Sequence, residues 1–357
     1  MLDFPASPII GQQFTAAGVT WIWDGAKWLP SGLSPLVVPG INDNRLINGD
    51  MRIDQRGIAS TTGGTAVGYT CDRWQFLASL ATKGVWGTGT NPTAFPYQLG
   101  FSSNSAYTLL AGDYFTFMQP IEADTISDFA WGTAGAQPVT LSFWANSTLT
   151  GTFGGAIRNY AGTRSYPFTY SLLTANTWTK IVVPIPGDTA GTWVMHGNAG
   201  AAQLCFGLGC GASLTAPAGA WSATGAVSAN GAASIVAVNG ATFYVTGVKL
   251  EIGSVATPFN RQSLAKSMAD CQRYYQTLGQ AMLVSGYSAA GNNLYFPMPF
   301  PVVMRAAPTV AYTGIVYGNS SALAVGAVTA NMVVNQCLAT AVGLAYAQAT
   351  ASMSAEL

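Results

Sequence analysis

The sequence predicts a mainly β protein. Its expected parts are an N-terminal Trp-rich hairpin, a central β-sandwich of the jelly-roll type, one connector helix and a small C-terminal β domain. Three observations support this. Apolar and polar residues alternate along several short segments, clusters of Gly, Asn and Ser separate those segments, and one stretch has helical spacing.

The hairpin is predicted by residues 11–28, in which aromatic and aliphatic residues alternate before the turn signal Asp24-Gly25. Three tryptophans in so few residues exceed what a module of this size can cover. We therefore expect its aromatic residues to dock on another protein, and a self-contained hairpin with clustered tryptophans is the alternative. The residues concerned are Phe14, Trp21, Trp23 and Trp28.

The central strands follow from two-residue alternation. Residues 139–145 place Val139, Leu141 and Phe143 on one face. Residues 180–185 form a β-branched strand that we expect to end at the prolines 184 and 186. In residues 243–250 the apolar phase shifts around Gly247, which predicts a β-bulge.

The helix is predicted to begin after a cap at Ser263 and to end at Gly279. Its apolar stripe is Leu264, Met268, Cys271, Tyr275 and Leu278. Such a helix serves either as a packed connector or as an element near the three-fold axis of a trimer.

These elements suggest three parts: residues 1–34 as an anchoring module, residues 35–262 as the jelly-roll sandwich, and residues 263–357 as the connector helix with the C-terminal β domain. The apolar stretch 322–347 is interrupted by Asn331, Asn335 and Gln336, so it predicts short strands rather than a membrane span. The N-terminus has neither the basic nor the apolar region of a signal peptide.

Charge limits the function classes. Only 8% of the 357 residues are charged and the formal net charge is +0, against about 25% charged residues in an ordinary soluble domain. The chain thus lacks the basic excess that nucleic-acid binding requires. No Asp, Glu, Lys or Arg occurs between Asp188 and Lys249 or between Arg305 and Glu356. These stretches predict either burial between subunits or a wet, neutral surface.

The five cysteines have no zinc spacing and indicate free thiols in a reducing cytoplasm. We expect no cofactor. Oppositely charged residues crowd the segments 43–56 and 72–73, which predicts arginine–carboxylate pairs that lock the first strands together. Asp50 and Glu251 are the alternative, as ligands of a calcium ion, but the signal is too weak to predict a metal site.

Several segments together resemble a family of phage tail-fibre and head-spike proteins, which are receptor-binding appendages. They bracket nearly the whole chain in the family's order, and only the interior from about residue 79 to 241 has no counterpart. The segments are 11–28, 48–57 (NGDMRIDQRG), 69–74 (YTCDRW), 249–259 (KLEIGSVATPF), 271–275 (CQRYY), 301–309 (PVVMRAAPT) and 355–357 (AEL). The resemblance implies a homotrimeric virion subunit with a jelly roll similar to carbohydrate-binding modules.

Glycan recognition requires aromatic faces and short polar groups, and needs no charge when the glycan is neutral. Candidates in turn-like surroundings are Trp86, Tyr97, Trp131, Tyr160, Trp193 and Trp221. Trp74, Trp144 and Trp178 lie in strand-like patterns, and we expect them in the core.

An enzyme is not predicted. Glycoside hydrolysis requires two carboxylates at a fixed separation, and the chain has three glutamates, Glu122, Glu251 and Glu356. The single histidine, His196, lies beside a Gly-Asn turn, and no G-x-S-x-G motif is present.

The expected function is therefore a non-catalytic virion appendage, assembled in the bacterial cytoplasm and exposed on the particle. It would adsorb to host surface polysaccharide as a homotrimer, with its N-terminal module on another virion protein and with no membrane insertion. A ligand-free head fibre or decoration protein, and a capsule depolymerase, are the alternatives.

Overall fold

The computed structural model describes residues 4–6, 8, 12–16, 19–23, 28–30, 44–57, 67–91 and 94–357. The chain divides into two compact units, Met1–Asp43 and Asn44–Leu357. The predicted boundary between residues 34 and 35 lies outside the described residues. Among the described residues, no helix has the length and apolar character needed to cross a membrane.

The first unit contains an antiparallel sheet of β1 (Gln13–Ala16), β2 (Val19–Trp23) and β3 (Trp28–Pro30). Trp23 pairs with Trp28, which confirms the hairpin, although the Asp24-Gly25 turn lies outside the described residues. The ring of Phe4 stacks on Trp28 at 5.4 Å and contacts Phe14 and Trp21 at 5.3 Å. The aromatic side chains therefore form a cluster among themselves, and Trp21, Trp23 and Trp28 stay partly exposed.

The second unit is dominated by two large antiparallel sheets, which confirms the predicted sandwich. Its strands are β4 (Val67–Cys71), β5 (Trp74–Ala78), β6 (Gly84–Thr90), β7 (Tyr97–Ser103), β8 (Tyr114–Glu122), β9 (Val139–Ser147), β10 (Gly151–Asn159), β11 (Ser165–Leu172), β12 (Thr179–Ile185), β13 (Gly200–Cys210), the short β14 (Thr215–Ala216) and β15 (Ser228–Ala229), and β16 (Thr242–Ile252). The six-stranded sheet has the order β11-β10-β13-β8-β5-β4, and the five-stranded sheet the order β12-β9-β16-β7-β6.

The core between these sheets is a layer of aromatic rings. Phe143 of β9 contacts Phe206 of β13 at 4.9 Å, and Phe76 of β5 stacks on Phe101 of β7 at 5.5 Å. Trp74 is fully buried beside them, as predicted. Since each fully buried large side chain stabilises the fold by about 1.5–3 kcal/mol, this layer is the main stabilising feature of the sandwich.

Two local predictions are confirmed. The register of β16 against β9 shifts between Thr246 and Lys249, and Gly247 has a φ of +60°, which confirms the bulge. The strand predicted at residues 180–185 is β12, which includes Pro184 and ends at Ile185, directly before Pro186. Pro184 is tolerated because β12 is an edge strand, where a missing N–H interrupts no ladder on the open side.

The C-terminal part contains one helix, α1 (Leu264–Gln272), and two three-stranded sheets. The strands are β17 (Tyr275–Ser288), β18 (Asn293–Pro299), β19 (Thr309–Gly318), β20 (Ala324–Val328), β21 (Met332–Leu338) and β22 (Gly343–Ser354), in the orders β17-β22-β19 and β18-β21-β20. The uncharged stretch 322–347 thus forms strands, as predicted.

The cap at Ser263 is confirmed, since its side chain accepts a hydrogen bond from the Lys266 amide. The predicted end at Gly279 is wrong. The helix stops at Gln272, and Tyr275 and Leu278 belong to β17, where they pair with Ser354 and Ala351 of β22. Strand pairing with the end of the chain overrides the helical spacing of these two residues.

A buried ionic cluster joins this C-terminal part to the sandwich. The Glu356 carboxylate accepts hydrogen bonds from Arg56 at 2.9 Å and from Arg73, whose side chain is 1% exposed. Arg56 also contacts Asp72 and lies between the rings of Tyr69 and Tyr275. Burial raises the pKa of Asp72 to about 6, and hydrogen bonds from Gln55 and the charge of Arg56 oppose that rise. The predicted arginine–carboxylate pairing is therefore present at Arg56 and Asp72, and Glu356 is an additional partner.

We predict that Glu356→Gln lowers the free energy of unfolding by about 3 kcal/mol, because it leaves the buried Arg73 without a counter-charge. Asp270→Asn is the matched control. It breaks the exposed Lys266–Asp270 pair and is expected to change stability by less than about 0.5 kcal/mol. Urea unfolding measures both, and equal losses would contradict a central role for Glu356.

Candidate glycan-binding face

The six aromatic residues predicted to bind glycan lie in three different environments. Trp86 and Trp131 are 3% and 1% exposed, so their rings offer no face to a ligand. Trp86 stacks on Phe76 at 5.3 Å inside the sandwich. Tyr97 and Tyr160 are exposed but belong to different sheets, at the start of β7 and just after β10.

Trp131, Trp193 and Trp221 come together at one end of the sandwich. Their ring centroids are 4.8–5.6 Å apart in edge-to-face contacts. Each indole N–H is bonded within the protein, to Gln137 O, Asp188 Oδ2 and Pro186 O respectively. Because the rings pack on one another and their polar edges are satisfied, this cluster stabilises the loops 123–137, 186–199 and 217–225.

An ion pair supports the same cluster. Arg164 contacts the Asp188 carboxylate with two nitrogens at 2.8 and 2.6 Å, and Asp188 is buried. Burial alone would raise the pKa of Asp188, but hydrogen bonds from Arg164 and Trp193 outweigh it and hold this pKa below its ordinary value. Asp188 is thus an ionised structural residue.

A different group of aromatic residues lies on the outer face of the five-stranded sheet. Tyr244 of β16 stands opposite Asn146 of β9 and Gly100 of β7. Trp144 of β9 stands opposite Thr246 of β16, two residues along from Asn146. Directly paired residues of antiparallel strands point to the same side, so Tyr244, Trp144 and Asn146 share this face.

Trp144 and Trp178 were expected in the core, and this expectation is wrong, because both are partly exposed. The phase of the strands explains the error. Phe143 points into the core, so its neighbour Trp144 must point outward. Trp178 lies two residues before Lys180 and four before Val182, which are exposed on β12, so Trp178 points to the same side as they do. The alternation of residues 139–145, with Val139, Leu141 and Phe143 on one face, already predicts that Trp144 lies on the opposite face.

Glycines shape the surface beside Tyr244. A Cβ placed on Gly100 would lie 3.0 Å from the Tyr244 ring, so the missing side chain lets the ring lie across β7. Gly87, Gly89, Gln98 and Ser102 complete a shallow depression of about 170 Å³. We call the surface formed by Gln98, Gly100, Trp144, Asn146, Trp178 and Tyr244 the aromatic sheet face.

The chain covers the other half of this outer face. Lys249 and Glu251 form a buried pair at 3.0 Å, and the Thr257 amide and hydroxyl donate to Glu251. Farther along, Phe259 packs edge-on against Phe95 at 5.1 Å. The segment 253–262 therefore leaves open only the half that carries the aromatic residues. None of the six residues of the aromatic sheet face is charged, but the exposed Lys180 of β12 pairs directly with Trp144 and points to the same side of the sheet.

The acidic residues considered for chemistry have structural partners. Glu122 accepts hydrogen bonds from Arg273 at 2.6 Å and from the Tyr274 hydroxyl at 2.5 Å. Burial and the bond to Glu122 raise the pKa of Tyr274. His196 is exposed. Within the described part of the chain, no group of three or more His, Cys, Asp or Glu residues is arranged to hold a metal ion.

We predict that Trp131→Ala lowers the free energy of unfolding by about 3–5 kcal/mol, since it empties a fully packed site. Trp144→Ala is expected to lower it by only about 1 kcal/mol, because the ring is half-buried on an outer face. Chemical denaturation of both variants provides the comparison. Similar losses would show that Trp144 belongs to the structural core.

No family model matches the chain, and no curated protein matches it. Among solved structures, the enzymatically active domain of tailspike protein 4 from bacteriophage CBA120 aligns with 59% of this chain at 16% identity and a TM-score of 0.30, and the alignment spans only 21% of that domain. A putative sugar binding protein from Bacteroides thetaiotaomicron aligns with 59% of this chain and 100% of its own length, at 10% identity and a TM-score of 0.36. A family 11 carbohydrate-binding module from Clostridium thermocellum, solved with a mixed-linked tetrasaccharide, aligns with 52% of this chain and 91% of its own length, at 11% identity and a TM-score of 0.27.

Proposed function

We propose that this protein is a non-catalytic virion appendage subunit that binds neutral glycans through the aromatic sheet face. One observation carries the proposal: Tyr244 and Trp144 lie on the same face, beside the partly exposed amide of Gln98 and a glycine-lined depression. The Asn146 amide lies between the two rings but is only 9% exposed. The phage-fibre resemblance of the flanking segments supports the appendage role.

The chemistry of the face fits sugars. Aromatic rings contact the C–H surfaces of a pyranose, while amide groups can both donate to and accept from its hydroxyls. Tyr244 and its direct partners Asn146 and Gly100 are uncharged, which suits a neutral sugar. The exposed Lys180, opposite Trp144, is a cation at the edge of this face.

The arrangement on a sheet also suits a surface ligand. The rings stand on adjacent hydrogen-bonded strands, which hold them at a fixed spacing without a loop having to order on binding. A long chain can lie across an open face and be contacted along its length. Several such faces on one particle would raise the avidity of individually weak contacts.

We predict that Tyr244→Ala and Trp144→Ala each weaken binding of the full-length protein to neutral host polysaccharide by about tenfold, equivalent to about 1.4 kcal/mol. Tyr160→Ala is the matched control, because Tyr160 is equally a surface aromatic but lies after β10 in the other sheet. Binding is measured on a glycan array and by affinity electrophoresis. We expect the affinity for a neutral polysaccharide to be insensitive to salt, since the ligand carries no charge for Lys180 to attract.

Three results would overturn the proposal. Wild-type protein that binds no host polysaccharide would favour a ligand-free structural subunit. Loss of binding in Tyr160→Ala but not in Tyr244→Ala would place the ligand at the sandwich end. Release of oligosaccharide from host capsule during incubation would indicate a depolymerase.

We also propose that the subunit is a homotrimer assembled through the outer face of the β18-β21-β20 sheet. The register places Tyr295, Pro297 and Val334 on that face, and Tyr295 and Leu338 are 59% and 41% exposed. Identical surfaces that meet in an oligomer would repel one another if they carried like charges. β18 lies between Arg273 and Arg305, and β20 and β21 lie between Arg305 and Glu356; neither interval contains another charged residue. The face can therefore meet a second copy without that repulsion.

We predict that wild-type protein has the mass of a trimer in light scattering after size exclusion, and that Tyr295→Asp with Leu338→Asp yields monomers. The control is Tyr287→Asp with Leu344→Asp, which adds the same two charges to residues that are 79% and 65% exposed and that pair with each other in the other C-terminal sheet. A monomeric wild-type protein, or a doubly substituted trimer, would refute this interface.

We further propose that the first unit anchors the subunit to another virion protein through Phe14, Trp21, Trp23 and Trp28. Their partly exposed cluster supports this, as does the buried Trp21 indole N–H, which has no hydrogen-bond partner. The five cysteines are free, which suits assembly in a reducing bacterial cytoplasm before the particle is released.

A further inference from the structure

A second cavity lies on the opposite side of the sandwich from the aromatic sheet face. After β13 the chain crosses the outer face of the six-stranded sheet, where Val227 packs against Met118 and Cys205. The short strands β14 and β15 pair there in parallel. Between them and the end of β13 is a cavity of about 660 Å³, a size within the range of small-molecule sites.

Glycines allow this cavity to form. A Cβ on Gly154 or Gly207 would lie 2.7 or 2.5 Å from the Ser228 hydroxyl, so only glycine lets β15 approach the sheet this closely. Gly209 lies on the cavity wall, and a Cβ there would lie 2.9 Å from the Ser234 hydroxyl. That hydroxyl is buried without a hydrogen-bond partner.

The lining has an unusual composition. It consists of small residues, and its hydroxyl and amide groups come from Thr215, Ser222, Thr224, Ser228 and Asn230. Alanine methyl groups lie between them, at Ala212, Ala216, Ala229, Ala232 and Ala233. None of the described residues that line it is charged or aromatic. Burial raises the pKa of the Cys210 thiol to about 12, so this lining group is neutral as well.

The geometry points to a second ligand site in this cavity, for a neutral polyhydroxylated molecule of mono- or disaccharide size. Such a molecule presents both C–H and O–H groups, and the lining presents both methyl and hydroxyl groups. A flat aromatic ligand would find no ring to stack on, and an ionised ligand would be desolvated without a counter-charge. This site is independent of the aromatic sheet face.

The test uses the full-length protein and saturation-transfer NMR with glucose, galactose, N-acetylglucosamine, maltose and glucuronate. Ala212→Trp fills the cavity from an exposed lining position, and Thr224→Val removes one hydroxyl at nearly constant shape. The matched control is Ala218→Trp, an exposed alanine of the same segment that does not line the cavity. Thermal unfolding confirms that each variant folds.

We expect at least one neutral sugar to bind the wild-type protein, with glucuronate bound at least tenfold more weakly than glucose. Affinity should fall about tenfold in Ala212→Trp and about fivefold in Thr224→Val, which loses a hydrogen bond. It should be unchanged within twofold in Ala218→Trp and in Tyr244→Ala.

The site is refuted if no neutral sugar binds, if glucuronate binds as tightly as glucose, or if folded Ala212→Trp retains full affinity. Binding that is lost in Tyr244→Ala but kept in Ala212→Trp would place the sugar on the aromatic sheet face. That result would refute the cavity site while leaving the proposed function intact.

Discussion

The packing of two large sheets on a shared layer of aromatic rings fixes the other features of the second unit. Phe143 of β9 contacts Phe206 and Tyr170 of the facing sheet at 4.9 and 5.0 Å, and Phe243 of β16 stacks on Phe153 at 6.0 Å. Neighbouring residues of a strand point to opposite sides. Because Phe143 and Phe243 must be buried, Trp144 and Tyr244 must be on the outside, so the core determines which rings can meet a ligand.

Two clusters of charged residues join the parts of the second unit. Glu356 pairs with Arg56 and Arg73, and Glu122 pairs with Arg273. Both clusters connect the sandwich to the helix and strands that follow it. Since a buried charge must be paired, these contacts restrict how the two parts pack on each other. Other pairs, such as Arg164–Asp188 and Lys249–Glu251, lie within the sandwich.

The sequence was sufficient for features that depend on neighbouring residues. Alternation located the strand at Val139–Ser147, the phase shift at Gly247 located the bulge, and Ser263 located the helix cap. It was insufficient where distant residues decide. Tyr275 and Leu278 leave the helical pattern because β22, some 75 residues later in the chain, pairs with them.

The candidate binding surfaces are harder to predict than the fold. The strand-like patterns around Trp144 and Trp178 predict burial, although the phase of these patterns excludes it. Trp131, Trp193 and Trp221 stand in loops, where no periodicity reports burial, and only the structure shows that they pack together. A cavity lined by Ala, Ser and Thr carries no distinct sequence signal, because clusters of small polar residues also mark ordinary loops.

One contrast between the two outer faces explains why one is covered and part of the other is open. The outward residues of the six-stranded sheet include Met118 and Cys205, which are apolar, and the chain covers them with the segment that carries Val227 and Leu214. Covering that face with glycine- and alanine-rich chain leaves a gap, and the gap is the 660 Å³ cavity. On the five-stranded sheet the chain covers the Lys249–Glu251 pair, whereas the amides, hydroxyls and amphipathic rings around Tyr244 are in contact with water. Burial of apolar side chains therefore accounts for the covered face and its cavity, and the polar groups around Tyr244 account for the open half of the other face.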